Sequence, residues 1–456
     1  MRDVGPAGLK QTDLHPALGE PELDSVRFLN EIMKRYPEAI SFAPGAPHTA
    51  HLDDLDIGAL LDTFRAHLRE RRGLGPAAAD RLLLEYGPSR GVINDLVAGA
   101  LRLDHGIDVP DDAVVVTVGA QEAMVLVLRA LFASPGDLLA VVNPCYVGMT
   151  GAAHLLDIPL VPVDEADTPG TAEGNGGYGM PDLDRLERAC RDARASGRRI
   201  RALYVAPDFS NPSGVRLDLT TRHRLLRLAD QEDFFLLEDM AYGFTADPAD
   251  ELPTLKSIDE HGRVVCIGTF AKICLPGARV GFVVADQPVR GADGTTRPLA
   301  DHLAALKGMV TVNTSPICQA VIGGMLLAAG GSMAAIGRER AATYRRNLAL
   351  LLRALDQHVA PALGPAPPVT WNRPAGGFFV RCRLPVRADT ALLDRCAAEH
   401  GVLWTPMSAF HVGPGGDREI RLSCSYLDPD EIREGVARLA GFFRTLAAPD
   451  RAAPPG

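Results

Sequence analysis

Seven short apolar runs punctuate the middle of the chain, at residues 114–117, 138–143, 160–163, 202–206, 234–238, 264–270 and 280–284. Many are continuous rather than alternating, which is the pattern of strands buried on both faces. Between them lie stretches of helical period, at 121–132, 183–195 and 221–230. Strand, helix, strand in this rhythm predicts an α/β domain around a mainly parallel sheet. The segment 164–180, DEADTPGTAEGNGGYGM, is rich in Gly, Thr and acidic residues and predicts a mobile surface loop. Beyond Gly330 an Arg- and Leu-rich helical pattern, 338–359, leads to the strand-like GGFFVRCRL and EIRLSCSY. That change of character predicts a smaller α+β domain. The Pro/Ala-rich end, AAPDRAAPPG, is expected to be disordered.

Composition narrows the picture. At 456 residues the chain is long enough for two domains with a large shared core. Hydrophobic residues at 46% and charged residues at 23% are ordinary for a soluble globular protein. A formal charge of -10 argues against nucleic acid or an anionic membrane as partner, since both reward excess Lys and Arg. The N-terminus MRDVGPAGLKQTDL lacks the apolar stretch of a signal peptide, and the apolar stretch 320–336 is interrupted by Gly pairs. A cytoplasmic location is therefore expected. The eight cysteines form no CxxC pair and no Cys/His spacing suited to zinc, so no metal site is expected. Only five lysines occur, Lys10, Lys34, Lys256, Lys272 and Lys307, which makes each worth weighing.

Lys272 stands just beyond a strand-like run in GTFAKICLPGARVGF. A side chain at the C-terminal end of such a strand points into the crevice where α/β sheets bind ligands. Taken alone it would be a surface charge. Upstream, LLEDMAYGF ends another apolar run with Asp239 and places Tyr242 three residues later, and YVAPDFSNPSG sets Asn211 in a strand-end turn. Alone, the Asn-Pro is a turn and Asp239 a helix cap. Together at successive strand ends they supply what a pyridoxal ring needs. The Lys forms the covalent link, a carboxylate keeps the ring nitrogen protonated, and Tyr and Asn hydrogen-bond the phenolic oxygen.

On these residues the sequence resembles the class I/II aminotransferase family of fold-type I pyridoxal-phosphate (PLP) enzymes, close in pattern to its kynurenine/2-aminoadipate aminotransferase branch. The matching stretches are SFAPGAPH, EYGPSRG, VTVGAQEA, NPCYVG, FSNPSG, EDMAYG, GTFAKICLPGARVG, PAGGFFV and EIRLSCS, in family order from about Ser41 to Ser425. The resemblance implies a large domain with a mainly parallel seven-stranded sheet plus a smaller α+β domain. The boundaries it suggests are an N-terminal arm and entry segment at 1–60, a PLP-binding domain at 61–329, a small domain at 330–446 and a tail at 447–456. It implies Lys272, Asp239 and Tyr242 as catalytic residues. Gly119, Ala120 and Gln121 at a helix start are expected to cradle the cofactor phosphate, with Thr269 and Arg279 as further ligands. Tyr146 is expected to stack on the ring and, with Asn211, to border the substrate. Arg421 is expected to grip the substrate α-carboxylate, and Gly45 to lie where the entry segment passes over it. Tyr86 is expected to reach the phosphate of a neighbouring subunit, which implies a homodimer with shared sites. The resemblance further implies a cis peptide before Pro212.

Two departures from the family pattern stand out. Ala271 occupies a position that often carries a hydroxyl, and Asn94-Asp95 replace a usual Leu-Arg after the EYGPSRG turn. No second Arg stands out as a clamp for a distal carboxylate, although Arg373 lies near the right region, so the substrates expected are an apolar, aromatic or non-proteinogenic L-amino acid and a 2-oxo acid. Phe28, Phe42, Tyr86, Trp404 and Phe410 are candidates to line the side-chain pocket. His48 and His411 are expected to be bystanders. The entry segment LDSVRFLNEIMKRYPEAISFAPGAP also resembles transaminases that act on arylglycines in natural-product pathways. The same fold carries oxidase, decarboxylase and β/γ-elimination or replacement chemistry, which stays open at this point. A DNA-binding regulator of this fold would need an N-terminal helix-turn-helix, and none is legible.

Overall fold

The computed structural model describes residues 9–19, 31–166, 179–363 and 369–447. Its centre is a seven-stranded sheet of β1 (Val114–Thr117), β2 (Asp137–Val142), β3 (Leu160–Val163), β4 (Arg199–Val205), β5 (Phe235–Asp239), β6 (Val264–Thr269) and β7 (Gly281–Val284), in the order β1-β7-β6-β5-β4-β2-β3. Every neighbouring pair is parallel except the two that involve β7, which runs against β1 and β6. All seven expected strands are present, each within three residues of its expected ends. Alternate side chains of these strands enter separate cores, which is why the runs read as continuous. Val115, Leu139, Val141, Leu237, Ile267 and Val283 pack on one face with helices Gly119–Leu131 and Leu299–Val310. Leu138, Ala140, Leu203, Leu236 and Val264 pack on the other with helices Leu183–Ala195 and Leu219–Gln231. Asp182 and Asp218 start those last two helices by accepting the N–H groups of Arg185 and Thr221.

The direction of the strands positions the site. Six strands point their C-terminal ends at one edge of the sheet, where loops leave for the next helix. Because β7 runs the other way, its N-terminal end, preceded by Arg279, reaches the same edge.

Beyond Gly330 and Gly331, which leave helix Pro316–Ala328 at positive φ, the long helix Met333–Ala354 begins. It packs with helices Thr390–His400 and Pro429–Ala447 over an antiparallel sheet of β8 (Thr370–Trp371), β9 (Phe379–Arg383), β10 (Thr405–Pro406) and β11 (Glu419–Ser423), ordered β8-β9-β11-β10. The N-terminal segment joins this second layer: Ile40–Ser41 pairs in parallel with Val402–Leu403, and Ile32 and Phe42 sit in its core. No single helix among the described residues is long and apolar enough to cross a membrane. All eight cysteines are free, and no cluster of metal-ligating side chains occurs among the described residues. Residues 167–178 of the expected loop, the tail from 448 onward and Phe28 lie outside the described residues.

Candidate active site

A cavity of about 490 Å³ opens at that sheet edge, beneath the segment Pro44–Ala46. Its lining brings together Gly45, Ala120, Gln121, Tyr146, Asn211, Asp239, Tyr242, Thr269, Lys272, Arg279 and Arg421. Residues more than three hundred positions apart in sequence thus meet in one chamber. Gly119, next to the lining Ala120, has φ +74, and a Cβ there would come within 2.6 Å of the Arg279 guanidinium. Of the residues expected to hold cofactor or substrate, Gly119 adjoins this lining rather than forming it, and Tyr86 is elsewhere, 89% exposed.

Lys272 follows the end of β6, and its Nζ donates to the Gly45 carbonyl at 2.6 Å. Burial, helped by the positive charges of Arg421 and Arg279 and opposed by Asp239, pulls the pKa of its amine down to about 8. Asp239 ends β5. Its Oδ2 accepts from Tyr204 at 2.6 Å, while its buried Oδ1 has no hydrogen-bond partner. Burial raises the pKa of its carboxyl, and the hydrogen bonds from Tyr204 and the Ala241 N–H work against that. Tyr242 is buried, touches Phe378 and Phe379 edge-on, and is hydrogen-bonded by Asn211. The Asn211–Pro212 peptide is cis, as the resemblance implies, and so is Asn143–Pro144.

Arg421 projects from β11 into the cavity. It donates to Asn211 Oδ1 at 2.6 Å, to the Ala43 carbonyl at 2.7 Å and to Thr405 Oγ1 at 3.2 Å, all of them neutral acceptors. Its guanidinium lies between the rings of Phe379 and Phe410, at 4.4 and 5.2 Å. Burial lowers its pKa to about 10. No carboxylate of the described residues pairs with it, so no side-chain anion offsets its buried charge. Gly45 is required nearby, because a Cβ there would meet the Phe379 ring at 2.8 Å.

The residues fit PLP on three observations of the structure itself. The orphaned Asp239 Oδ1 is an acceptor for a protonated ring nitrogen. The helix Gly119–Leu131 starts without a side-chain cap, leaving first-turn N–H groups for a phosphate beside Arg279. Lys272 supplies an amine whose pKa is lowered. Thr269 Oγ1 also lines the cavity and accepts the Ala271 N–H at 3.1 Å.

Several sequence expectations need correcting here. Phe42 and Trp404 do not border the cavity. They are fully buried in the core of the second layer, where aromatic bulk fills space between helices and sheet. Arg373 is no distal clamp, since it pairs with Asp356 on the surface. Tyr204, Phe379, Thr405 and Ala43 were not expected at the site. A Tyr in an otherwise apolar strand was the available signal for the first, because a buried hydroxyl demands a partner.

Residues 54–439 match the model of the family described as aminotransferase class I and II, and the chain belongs to that family. It is a PLP-dependent aminotransferase, which moves an amino group between an amino acid and a 2-oxo acid. It is 46% identical over 435 residues to an (S)-3,5-dihydroxyphenylglycine transaminase of Amycolatopsis orientalis, covering 95% of this chain and 94% of that one. Among solved structures it is similar to a kynurenine aminotransferase of Pyrococcus horikoshii, with TM-score 0.74, 26% identity and coverage of 92% and 94%. A second is the alpha-aminoadipate aminotransferase of Thermus thermophilus, complexed with N-(5'-phosphopyridoxyl)-L-leucine, with TM-score 0.74, 27% identity and coverage of 96% and 99%.

Proposed function

We propose that this aminotransferase takes its amino group from an (S)-arylglycine carrying ring hydroxyls, or from a closely related aromatic amino acid. The observation that carries the reading is the account of cations. Three line the cavity among the described residues, Lys272, Arg279 and Arg421, and each has a task. Lys272 holds the cofactor, Arg279 and the helix start at Gly119–Gln121 hold its phosphate, and Arg421 takes the α-carboxylate. None is left for a second carboxylate, so a neutral side chain suits the chamber better than an acidic one. The similarity to a dihydroxyphenylglycine transaminase supports the same class.

When bound, PLP supplies the electron sink that acidifies the bond between Cα and its hydrogen. Asp239 Oδ1 would accept from the ring nitrogen, Tyr146 would stack on the ring, and Asn211 and Tyr242 would hydrogen-bond its phenolic oxygen. Arg421 orients the substrate through its carboxylate, with Asn211 and Thr405 fixing the guanidinium. Lys272, a buried amine whose pKa is brought down to about 8, would be the group that moves the Cα proton. The test is a donor panel with a common 2-oxo acid acceptor. Dihydroxyphenylglycine is expected to exceed aspartate and 2-aminoadipate in kcat/KM by roughly a hundredfold. Aspartate as best donor, with arylglycines inert, overturns the substrate class.

We also propose that the active form is a homodimer in which Tyr86 serves the partner's phosphate. Leu84, Tyr86, Met309, Val310 and Ile317 are exposed. They lie on adjoining segments, because Gly87 sits against Pro316 and Asn313. An apolar patch of this kind needs cover. Met309→Asp is expected to convert the dimer to monomer in light scattering and to weaken cofactor retention. A parent protein that is monomeric while fully active contradicts the proposal.

A further inference from the structure

Tyr204 is the unassigned residue that the geometry draws closest to the chemistry. It lies on β4 beside Leu237 of β5, only 3% exposed, among the apolar side chains of one sheet face. A phenol in such surroundings needs a hydrogen-bond partner. It has one in the neighbouring strand's final residue, at 2.6 Å from Asp239 Oδ2. Among the described residues Asp239 has no ion-pair partner at salt-bridge distance. One of its oxygens is gripped, the other is buried without a partner, and the residue lines the cavity.

We propose that Tyr204 is a positioning residue: it fixes the Asp239 carboxylate so that Oδ1 meets the ring nitrogen of PLP, and it keeps that carboxylate ionised. The inference rests on Asp239 facing that nitrogen. Burial favours the protonated acid, and a donor hydroxyl offsets this by stabilising the anion. The other titratable groups facing this pair are Lys272, whose charge also favours the anion, and Cys145, Tyr146, Tyr242 and Cys266, which burial keeps neutral. Removing the hydroxyl leaves Oδ2 with no side-chain donor. The carboxylate then holds a proton more tightly, the ring nitrogen carries less positive charge, and the nitrogen through which Lys272 binds the cofactor becomes easier to protonate.

The test follows the cofactor's visible absorbance against pH in loaded enzyme. Tyr204→Phe is expected to raise the midpoint by roughly half a unit or more. Site-specific fluorotyrosine at 204 keeps the ring and hydroxyl but makes a stronger donor, and is expected to lower it. A role in packing alone would not move the two variants in opposite directions. If the Phe variant does not fold, the fluorotyrosine protein carries the test by itself. Asp239→Asn serves as control and is expected to alter the band. If it does so while both Tyr204 variants titrate like the parent, the Tyr204 inference is overturned and the placement of Asp239 stands. If Asp239→Asn leaves the band unchanged, the placement itself fails, and the inference with it.

Discussion

The Lys272→Ala enzyme is expected to fold, to bind PLP only loosely, and to lose roughly three to four orders of magnitude in kcat. The size follows from two roles on one side chain. Lys272 Nζ is held by Gly45 in the cavity, where no other Lys lines the wall. Burial and two nearby Arg residues bring the pKa of its amine to about 8, so an appreciable fraction is neutral near physiological pH. An unperturbed Lys, near 10.4, would be almost entirely charged. Of the other four Lys residues, Lys256 is paired with Asp286 and Lys307 with Glu122, both away from the chamber. Lys10 and Lys34 belong to the N-terminal segments. None is placed to substitute. Steady-state assay with dihydroxyphenylglycine as donor, next to circular dichroism for the fold, checks this. Retention of more than a tenth of the parent rate contradicts it.

The second large effect is expected at Arg421. Arg421→Ala removes the buried cation that meets the substrate carboxylate. Truncating one partner of a buried, hydrogen-bonded charge pair costs about 2–5 kcal/mol, or roughly thirty- to several-thousandfold in kcat/KM. Most of the loss falls on KM if the carboxylate is held equally throughout, and on kcat if alignment of Cα is what Arg421 supplies. Arg421→Lys is expected to restore little, because a point charge cannot span Asn211, Ala43 and a carboxylate together as the planar fork does. Cofactor binding is expected to stay near parent level, which separates this variant from Lys272→Ala. Equal kcat/KM for parent and Arg421→Ala removes the assignment.

Much of the fold was legible because strands buried on both faces leave continuous apolar runs, and because the chemistry sits at their ends. Lys272, Asp239 and Asn211 each follow such a run, so strand position alone aimed them at one crevice. The reversed direction of β7, which carries Arg279 to the same edge, was not legible. Periodicity records which face a side chain takes but not which way the strand runs. Aromatic residues were the least readable. Phe42 and Trp404 went to the core of the second layer, whereas Phe379 and Phe410 flank Arg421. Tertiary packing, not local sequence, set these two fates. Tyr204 escaped for a related reason: its partner lies on the next strand, 35 positions away.

The most direct test of the whole account is to reduce the PLP-loaded protein with borohydride, digest it, and locate the phosphopyridoxyl group by peptide mass spectrometry. The expected result is one modified peptide, carrying the group on Lys272, and none from the Lys272→Ala protein. Modification at any of the other four Lys residues, or none despite bound cofactor, contradicts the site described above.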